Sequence, residues 1–249
     1  MPQPPRNASL ALVGAGDFIG SAIAKRFADE GYLVHAGRRN GDKLAPLVRE
    51  IEGAGGRCVG RSLDARDEAA VTAFLQEADA TAPLEICIYN PGANVQFRLL
   101  DTTERVFRKV WELACYGGFL TGREAARLML PRGRGSIFFT GATASMRGGK
   151  GYAAFASAKA GLRSVAQSMA RELGPAGIHV AHLVIDAGVD TAFVRERIRE
   201  ARGAEALAAL APDALMQPAS VANAYWALHQ QSRDGWTFEL DLRPHGESW

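Results

Sequence analysis

The chain has 249 residues, 47% of them hydrophobic, which is enough for one large α/β domain with a core on both faces of a sheet. Its 29 basic and 27 acidic residues nearly cancel, and no basic run is long enough to bind nucleic acid or to anchor the chain to a membrane. No segment is apolar over the length of a signal peptide or a membrane span, so we expect a single domain over residues 1–249 with neither nucleic-acid nor membrane partners.

Short apolar runs alternate along the chain with longer stretches of helical period, a pattern that predicts βαβ units on a parallel sheet. The predicted strands are Ser9–Val13, Leu33–Ala36, Cys58–Ser62, Ile86–Tyr89, Ser136–Thr140, His179–Ile185 and Thr237–Leu242. The predicted helices cover residues 19–30, 42–54, 67–80, 103–130, 151–173 and 218–230. Because parallel neighbours need right-handed crossovers, this order predicts a doubly wound, seven-stranded parallel sheet with helices on both faces. Its ligand crevice lies at the carboxyl ends of the strands, and residues 186–218 predict one or two short helices as a lid.

A glycine-rich turn follows the first predicted strand and opens directly into a helix. Gly14 and Gly16 permit a tight turn with close approach to a pyrophosphate, and Gly20 lets the helix pack near the strand. The helix N-terminus adds amide donors and a positive dipole for the phosphates. The motif therefore predicts a dinucleotide site, the alternative being that the glycines only form a turn. The residues of this turn expected at the cofactor are Gly14, Gly16, Asp17, Phe18, Ile19 and Gly20.

Two arginines follow the second predicted strand. Arg38 and Arg39 stand where an NAD-preferring enzyme carries an acid for the ribose 2′-hydroxyl. A guanidinium can instead donate two hydrogen bonds to a 2′-phosphate, which favours NADP(H) over NAD(H). Two alternatives stay open: the arginines could form a solvated surface pair, and Asp17 would repel a 2′-phosphate if it faced one.

Three later motifs resemble those of the short-chain dehydrogenase/reductase family. Asp64 matches the family acid that contacts the adenine amino group, although it could instead cap the next helix. A motif after the fourth strand resembles the family's Asn-Ala-Gly beside the cofactor, and one after the sixth matches its Pro-Gly-x-x-Thr apart from Ala187. The residues that these matches place at the cofactor are Asp64, Ala65, Asn90, Pro91, Gly92, Gly188, Val189 and Thr191.

The resemblance runs from Leu10 to about Thr191 and implies a single-domain Rossmann fold that binds a nicotinamide cofactor and a small-molecule substrate. It also implies a homodimer or homotetramer, because the long apolar helices predicted at 103–130 and 151–173 match the family's four-helix interface. It would further place the ribose of the cofactor on Lys159.

The family's other catalytic positions are altered. In the family, a Tyr four residues before the Lys protonates the substrate oxygen, but Phe155 stands four before Lys159. Ala142 replaces the Ser that binds the substrate carbonyl, and Ala114 replaces the Asn that anchors a proton-relay water. Because a positioned general acid contributes about 10²–10⁴ in rate, these changes argue against ordinary carbonyl reduction.

Two hypotheses from different classes follow. In the first, the protein transfers hydride to an activated C=C or C=N bond, and Tyr152 stabilises the developing charge. Tyr152 lies seven residues before Lys159, a spacing that resembles enoyl-acyl-carrier-protein reductases, although it could equally line the pocket or pack at the helix start. Thr143 and Ser145 are further candidate donors, unless they bond only backbone. In the second hypothesis, the protein binds NADP(H) but is catalytically silent.

Cysteine and histidine positions argue against disulfides and metals. Cys58, Cys87 and Cys115 lie far apart in mostly apolar surroundings, which is typical of reduced, buried thiols and predicts a cytoplasmic location. His179 and His182 lie on one predicted strand at a spacing that points them to opposite faces. No cluster of His, Asp and Glu has metal-ligand spacing, so the sequence predicts no metal site.

Overall fold

The chain forms one seven-stranded parallel sheet, which a computed structural model describes over residues 3–247. The strands are β1 (Ser9–Val13), β2 (Leu33–Arg38), β3 (Arg57–Ser62), β4 (Leu84–Tyr89), β5 (Gly135–Thr140), β6 (Ile178–Ile185) and β7 (Glu239–Leu242). Their order across the sheet is β3-β2-β1-β4-β5-β6-β7, with every neighbouring pair parallel. Strands β1 to β3 are added to the sheet in one direction, and strands β4 to β7 are added in the other. A crevice therefore opens between β1 and β4 at the carboxyl ends of the strands.

Helices cover both faces of the sheet. They are α1 (Ile19–Asp29), α2 (Ala45–Gly53), α3 (Glu68–Thr81), α4 (Glu104–Trp111), α5 (Gly117–Met129), α6 (Ala153–Leu173), α7 (Ala192–Arg202), α8 (Ala204–Ala208) and α9 (Pro218–His229). A hydrophobic core lies on each face of the sheet, and alternate residues of β1 pack into one or the other. Leu10 and Leu12 pack with α1, α2 and α9, whereas Ala11 and Val13 pack with α3, α5 and α6. The predicted doubly wound sheet with helices on both faces is confirmed.

Strand boundaries differ from the predictions by up to two residues, as at the end of β2, the start of β4 (Leu84 rather than Ile86) and the start of β7. β2 continues two residues further than expected, because Gly37 and Arg38 pair with β3. β7 begins at Glu239 rather than at Thr237. The segment 186–218 contains two helices, α7 and α8, within the predicted range of one or two.

The helix predicted over 103–130 is interrupted in its middle. A π-helical turn, Glu112–Tyr116, separates α4 from α5. The hydroxyl of Tyr89 donates a hydrogen bond to the carbonyl of Leu113 within this turn. A Cβ on Gly117 would lie 2.4 Å from that hydroxyl, so the close approach requires glycine. A side chain that takes a helix carbonyl is a known cause of such interruptions, and it is a tertiary contact that periodicity cannot reveal.

The three cysteines are free and buried. Between residues 3 and 247, no three His, Cys, Asp or Glu side chains are grouped so as to hold a metal ion. Over the same range, no helix is both long enough and apolar enough to cross a membrane.

Candidate active site

The glycine-rich turn is locked against the end of β4. Gly14 has φ +91°, and a Cβ on it would lie 2.7 Å from the nitrogen of Pro91. Only glycine satisfies both constraints. Asn90 completes the contact, because its Nδ2 donates to the carbonyl of Gly14 at 2.9 Å. The turn and the motif after β4, which lie more than seventy residues apart in sequence, thus form one unit.

The start of α1 is free to bind an anion. The amide of Ser21 donates to the carbonyl of Gly16 at 2.8 Å, and the amides before it at the helix start have no intrahelical acceptor. These amides and the helix dipole attract phosphate. Phe18 precedes the helix and is 40% exposed. A Cβ on Gly20 would lie 2.7 Å from Cα of Ala15, so this glycine is needed for the helix to pack.

A cavity of about 590 Å³, the first cavity, runs along this turn. Most of the predicted cofactor residues line it. They are Gly14, Gly16, Asp17, Phe18, Ile19, Gly20, Arg38, Arg39, Asp64, Ala65, Asn90, Pro91, Gly92 and Thr191. Of the others, Lys159 and Val189 line a neighbouring cavity, and the Gly188 carbonyl accepts a hydrogen bond from the amide of Met216.

At one end of the first cavity, Arg38 is already paired with an acid. Its Nη1 lies 2.5 Å from Oδ1 of Asp17, whose side chain is 67% exposed. Asp17 therefore faces the guanidinium that is predicted to bind a 2′-phosphate, and it would compete with the phosphate for that guanidinium. Arg39 and Lys43 line the same cavity with exposed side chains, so this end carries further positive charge.

Asp64 is held by a neighbour that the sequence reading did not single out. Arg66 donates to both carboxylate oxygens, Nε to Oδ1 at 2.9 Å and Nη2 to Oδ2 at 2.6 Å. These hydrogen bonds lower the pKa of Asp64 to about 2. The alternative that Asp64 caps the next helix is wrong, because the cap is Asp67, which accepts from the amide of Ala70. The Asp-x-Arg spacing was the signal for the ion pair.

The second cavity, about 540 Å³, continues from the first past four shared residues. The shared residues are Ile19, Asn90, Pro91 and Gly92. Lys159 lies in this cavity and is only 3% exposed; its Nζ donates to the carbonyls of Thr140 at 2.8 Å and Pro91 at 3.3 Å. Burial lowers the pKa of Lys159 to about 8. The cation therefore lies where the two cavities meet.

The wall around Lys159 is apolar. Phe155, Ala142 and Ala144 line the second cavity, so their side chains offer no hydroxyl to a substrate. Ala114 is fully buried in the π-helical turn and packs in a cluster with Phe155. A donor for a substrate oxygen must therefore come from elsewhere in the cavity.

Three hydroxyl groups line the second cavity, and two of them are committed to the protein. Thr140 Oγ1 donates to Oδ1 of Asn90 at 2.9 Å, so the hydroxyl of Tyr225, 2.7 Å away, donates to Thr140. Thr143 Oγ1 donates to Oδ1 of Asp186. A hydroxyl has one proton, so neither threonine has another to give to a ligand.

Tyr152 is the third hydroxyl, and its proton has no acceptor among residues 3–247. Its oxygen lies 3.5 Å from Nη2 of Arg197, which is a donor only. Nη2 of Arg197 also donates to Oε1 of Gln96 at 3.0 Å, so α7 contacts both the start of α6 and the loop after β4. Arg197 was not among the predicted site residues. Its partners are remote in sequence, and no local motif marked it.

The remaining candidate donor, Ser145, is not among the residues that line the cavity. It is buried, and its Oγ accepts a hydrogen bond from the amide of Ala142 at 3.1 Å. This bond closes the short turn after β5. Asp186, which was not among the predicted site residues, holds Thr143 of the same turn by accepting a hydrogen bond from its hydroxyl. Its other carboxylate oxygen lies 3.4 Å from Nη2 of Arg243.

A buried histidine lies directly beneath this turn. A Cβ on Gly141 would lie 2.4 Å from the ring of His182, so the turn requires glycine there. His182 Nδ1 lies 3.1 Å from Oε2 of Glu239, which Arg163 also binds through two hydrogen bonds of 2.5 and 2.9 Å. Burial lowers the pKa of His182 to about 4. The ring is therefore neutral at pH 7 and donates to Glu239.

Comparison with known proteins agrees with this geometry. Residues 9–202 match the family model described as short chain dehydrogenase. The chain is 32% identical over 195 residues to 3-oxoacyl-(acyl-carrier-protein) reductase MabA of Mycobacterium avium, covering 77% of this chain and 72% of that protein.

Solved structures give the same result. A short-chain dehydrogenase from Rhodopseudomonas palustris has 61% identity and a TM-score of 0.83, with 97% of this chain and 100% of that chain covered. An alcohol dehydrogenase from Thermococcus sibiricus, complexed with 5-hydroxy-NADP, shares the fold at 23% identity and a TM-score of 0.82, covering 97% and 98%. The chain therefore belongs to the short-chain dehydrogenase/reductase family of oxidoreductases.

Proposed function

We propose that the protein is an NADP(H)-dependent reductase of an activated C=C or C=N bond, with Tyr152 as its proton donor. The observation that carries this proposal is the hydrogen bonding of the cavity hydroxyls. Thr140 and Thr143 donate to protein acceptors, whereas the Tyr152 oxygen faces only a donor. Its proton therefore remains available to a ligand in the second cavity.

The two joined cavities fit a dinucleotide cofactor. The amides at the start of α1 would hold the pyrophosphate, and Arg38 with Arg39 would hold a 2′-phosphate. Lys159, buried where the cavities meet, would hold the nicotinamide ribose. The cofactor, when bound, supplies the hydride. NADP derivatives in solved structures of the same fold support this choice.

The position of the donor favours a conjugated bond over a simple ketone. When a ketone is reduced, the negative charge develops on the oxygen bonded to the carbon that accepts the hydride. This oxygen would lie beside Phe155 and Ala142, whose side chains offer no hydrogen bond. A C=C bond conjugated with a carbonyl delocalises the charge to an oxygen two bonds further away, and a C=N bond that is already protonated develops no negative charge. Tyr152, three residues earlier at the start of α6, can stabilise the charge on the more distant oxygen.

A screen for NADPH oxidation tests the proposal. Purified protein is assayed with ketones, enones, enoyl thioesters and imines, and heat-inactivated protein serves as the control. We expect turnover with at least one conjugated class and little with simple ketones. The apolar wall around Lys159 favours a second candidate, a catalytically silent NADP(H)-binding protein. NADPH binding without turnover of any class would contradict the reductase and favour this candidate.

We further propose a homo-oligomer that buries the outer faces of α5 and α6. A groove of about 660 Å³ lies between these helices and includes Phe119, Leu130, Val165 and Met169. Leu130 is 41% exposed, which supports a partner surface here. Sedimentation velocity should give a dimer or tetramer, and a monomer would contradict this proposal.

The free, buried thiols support a cytoplasmic location.

A further inference from the structure

The second cavity is lined by cations but by no acid. Among its 19 lining residues, Arg147 and Lys159 carry positive charge, and none is Asp or Glu. Asp186, which borders it, already accepts from Thr143 and pairs with Arg243. A cavity whose other lining residues are uncharged therefore presents an uncompensated positive potential to any ligand that enters it.

Arg147 is the cation of this cavity that the proposed cofactor contacts leave unused. It lies in the exposed loop between β5 and α6. In this loop, Arg147, Gly148 and Gly149 line the exposed side of the cavity, which we call its mouth. No acidic side chain within residues 3–247 forms a salt bridge with it. Its guanidinium is thus available to a ligand at the mouth.

Arg197 brings a second guanidinium against the cavity, because its Nη2 lies 3.5 Å from the hydroxyl of the lining residue Tyr152. The neighbouring arginines of α7 are neutralised: Arg195 pairs with Asp190 at 2.5 Å, and Arg199 pairs with Glu196. Arg197, between them, donates only to the uncharged groups of Gln96 and Tyr152. The arginine of α7 that contacts the lining residue Tyr152 is therefore one whose partners are uncharged.

We propose that the substrate carries an anionic group, a carboxylate or a phosphate, which Arg147 and Arg197 bind at the mouth of the second cavity. This inference rests on the proposed function, because it names the substrate class of the same site. Guanidinium groups bind carboxylate and phosphate through two parallel hydrogen bonds, which favours these anions over neutral polar groups. Arg197 also touches Tyr152, so the bound anion would lie beside the proton donor.

Two pairs of probes, matched except for charge, test the inference by direct binding. The first pair is trans-β-acetylacrylate and its amide, which place a carboxylate or a neutral group beyond an enone. The second is S-crotonyl-4′-phosphopantetheine and S-crotonylpantetheine, which differ only in the phosphate of the carrier. Calorimetry on protein saturated with NADP⁺ measures each Kd without turnover. We expect the charged member of at least one pair to bind about tenfold more tightly, and the preference to shrink with added salt.

Variants assign the preference to the two arginines. Arg147→Gln and Arg197→Gln should each reduce the preference to about threefold or less, with little change for the neutral probes. Arg202→Gln, an exposed arginine on the same helix, is the matched control and should keep the full preference. Tyr152→Phe should also keep it, because the phenol carries no charge.

The two probe pairs identify the source of the anion. A preference in the first pair alone indicates a free acid as substrate, and one in the second pair alone indicates a phosphate-bearing carrier. Equal Kd values within both pairs, or a preference that survives both arginine variants, would overturn the inference. Absence of turnover with intact charge preference would instead contradict only the proposed reductase activity.

Discussion

The phenol oxygen of Tyr152 lies 3.5 Å from Nη2 of Arg197, 45 residues further along the chain. Arg197 can only donate, so the contact orients the tyrosine oxygen while leaving its proton free. The same guanidinium donates to Gln96, which ties α7 to the loop after β4. The residue at the start of α6 and the segment that follows β6 therefore form one side of the second cavity.

Thr143→Val should lower stability but leave catalysis nearly intact, because the Thr143 proton is committed to Asp186. The partly buried carboxylate would lose a donor, at a cost of about 1–3 kcal/mol in the free energy of unfolding. Urea unfolding and kcat on a substrate from the screen measure the two effects. Thr143→Ser retains the hydroxyl and is the control. A 100-fold loss of kcat with unchanged stability would instead identify Thr143 as the donor.

Asp17→Asn should raise the affinity for NADPH and leave that for NADH nearly unchanged. Asp17 occupies Arg38 at 2.5 Å, and its removal frees the guanidinium for a 2′-phosphate. Arg38→Gln should act in the opposite direction, weakening NADPH by about tenfold or more, since a charge-assisted hydrogen bond contributes about 1.5–3 kcal/mol. Fluorescence titration gives both dissociation constants. Equal affinities of the unmodified protein for the two cofactors would refute a 2′-phosphate site.

Lys159→Met should weaken cofactor binding whether or not the protein is a catalyst. Burial lowers the pKa of Lys159 to about 8, so its ammonium is charged below that pH and is lost above it. Cofactor affinity of the unmodified protein should therefore fall as pH rises through about 8, and the Met variant should lack this step. Titrations at pH 7 and pH 9 measure it. An unchanged affinity in the variant would mean that Lys159 does not bind the cofactor.

Much of this site could be predicted from local sequence. The glycine turn, the arginines after β2 and the motif after β4 are contiguous, and the structure brings them to one cavity. The strands were predictable because parallel strands buried on both faces are short apolar runs. The partners of Thr143 and Tyr152 were not, because 43 and 45 residues separate them from Asp186 and Arg197.

The π-helical turn shows the same limit in the fold. Residues 103–130 have a helical period throughout, so the sequence predicts one helix. The interruption depends on the hydroxyl of Tyr89, which reaches the carbonyl of Leu113 from β4. A contact between distant elements thus overrode the local pattern.

Stability should fall as pH drops from about 6.5 to about 4, in part through His182. Its pKa is lowered from 6.5 in the unfolded chain to about 4 in the fold, so the unfolded state binds the proton first. The shift corresponds to roughly 3 kcal/mol once pH is below both values. His182→Gln should flatten this part of the pH dependence in urea unfolding between pH 7 and pH 4. His229, whose pKa is also lowered to about 4, should account for the pH dependence of stability that remains in this variant. An identical slope in the variant would rule out His182.

The most direct measurement is kcat of Tyr152→Phe on a conjugated substrate found in the NADPH screen. If Tyr152 donates the proton or stabilises the developing charge, kcat should fall by about 10²-fold or more while KM changes little. Tyr116→Phe, a tyrosine stacked between Trp111 and Phe119, is the matched control and should leave kcat unchanged. An unchanged kcat in Tyr152→Phe, with turnover intact, would contradict the assignment of Tyr152 as the donor.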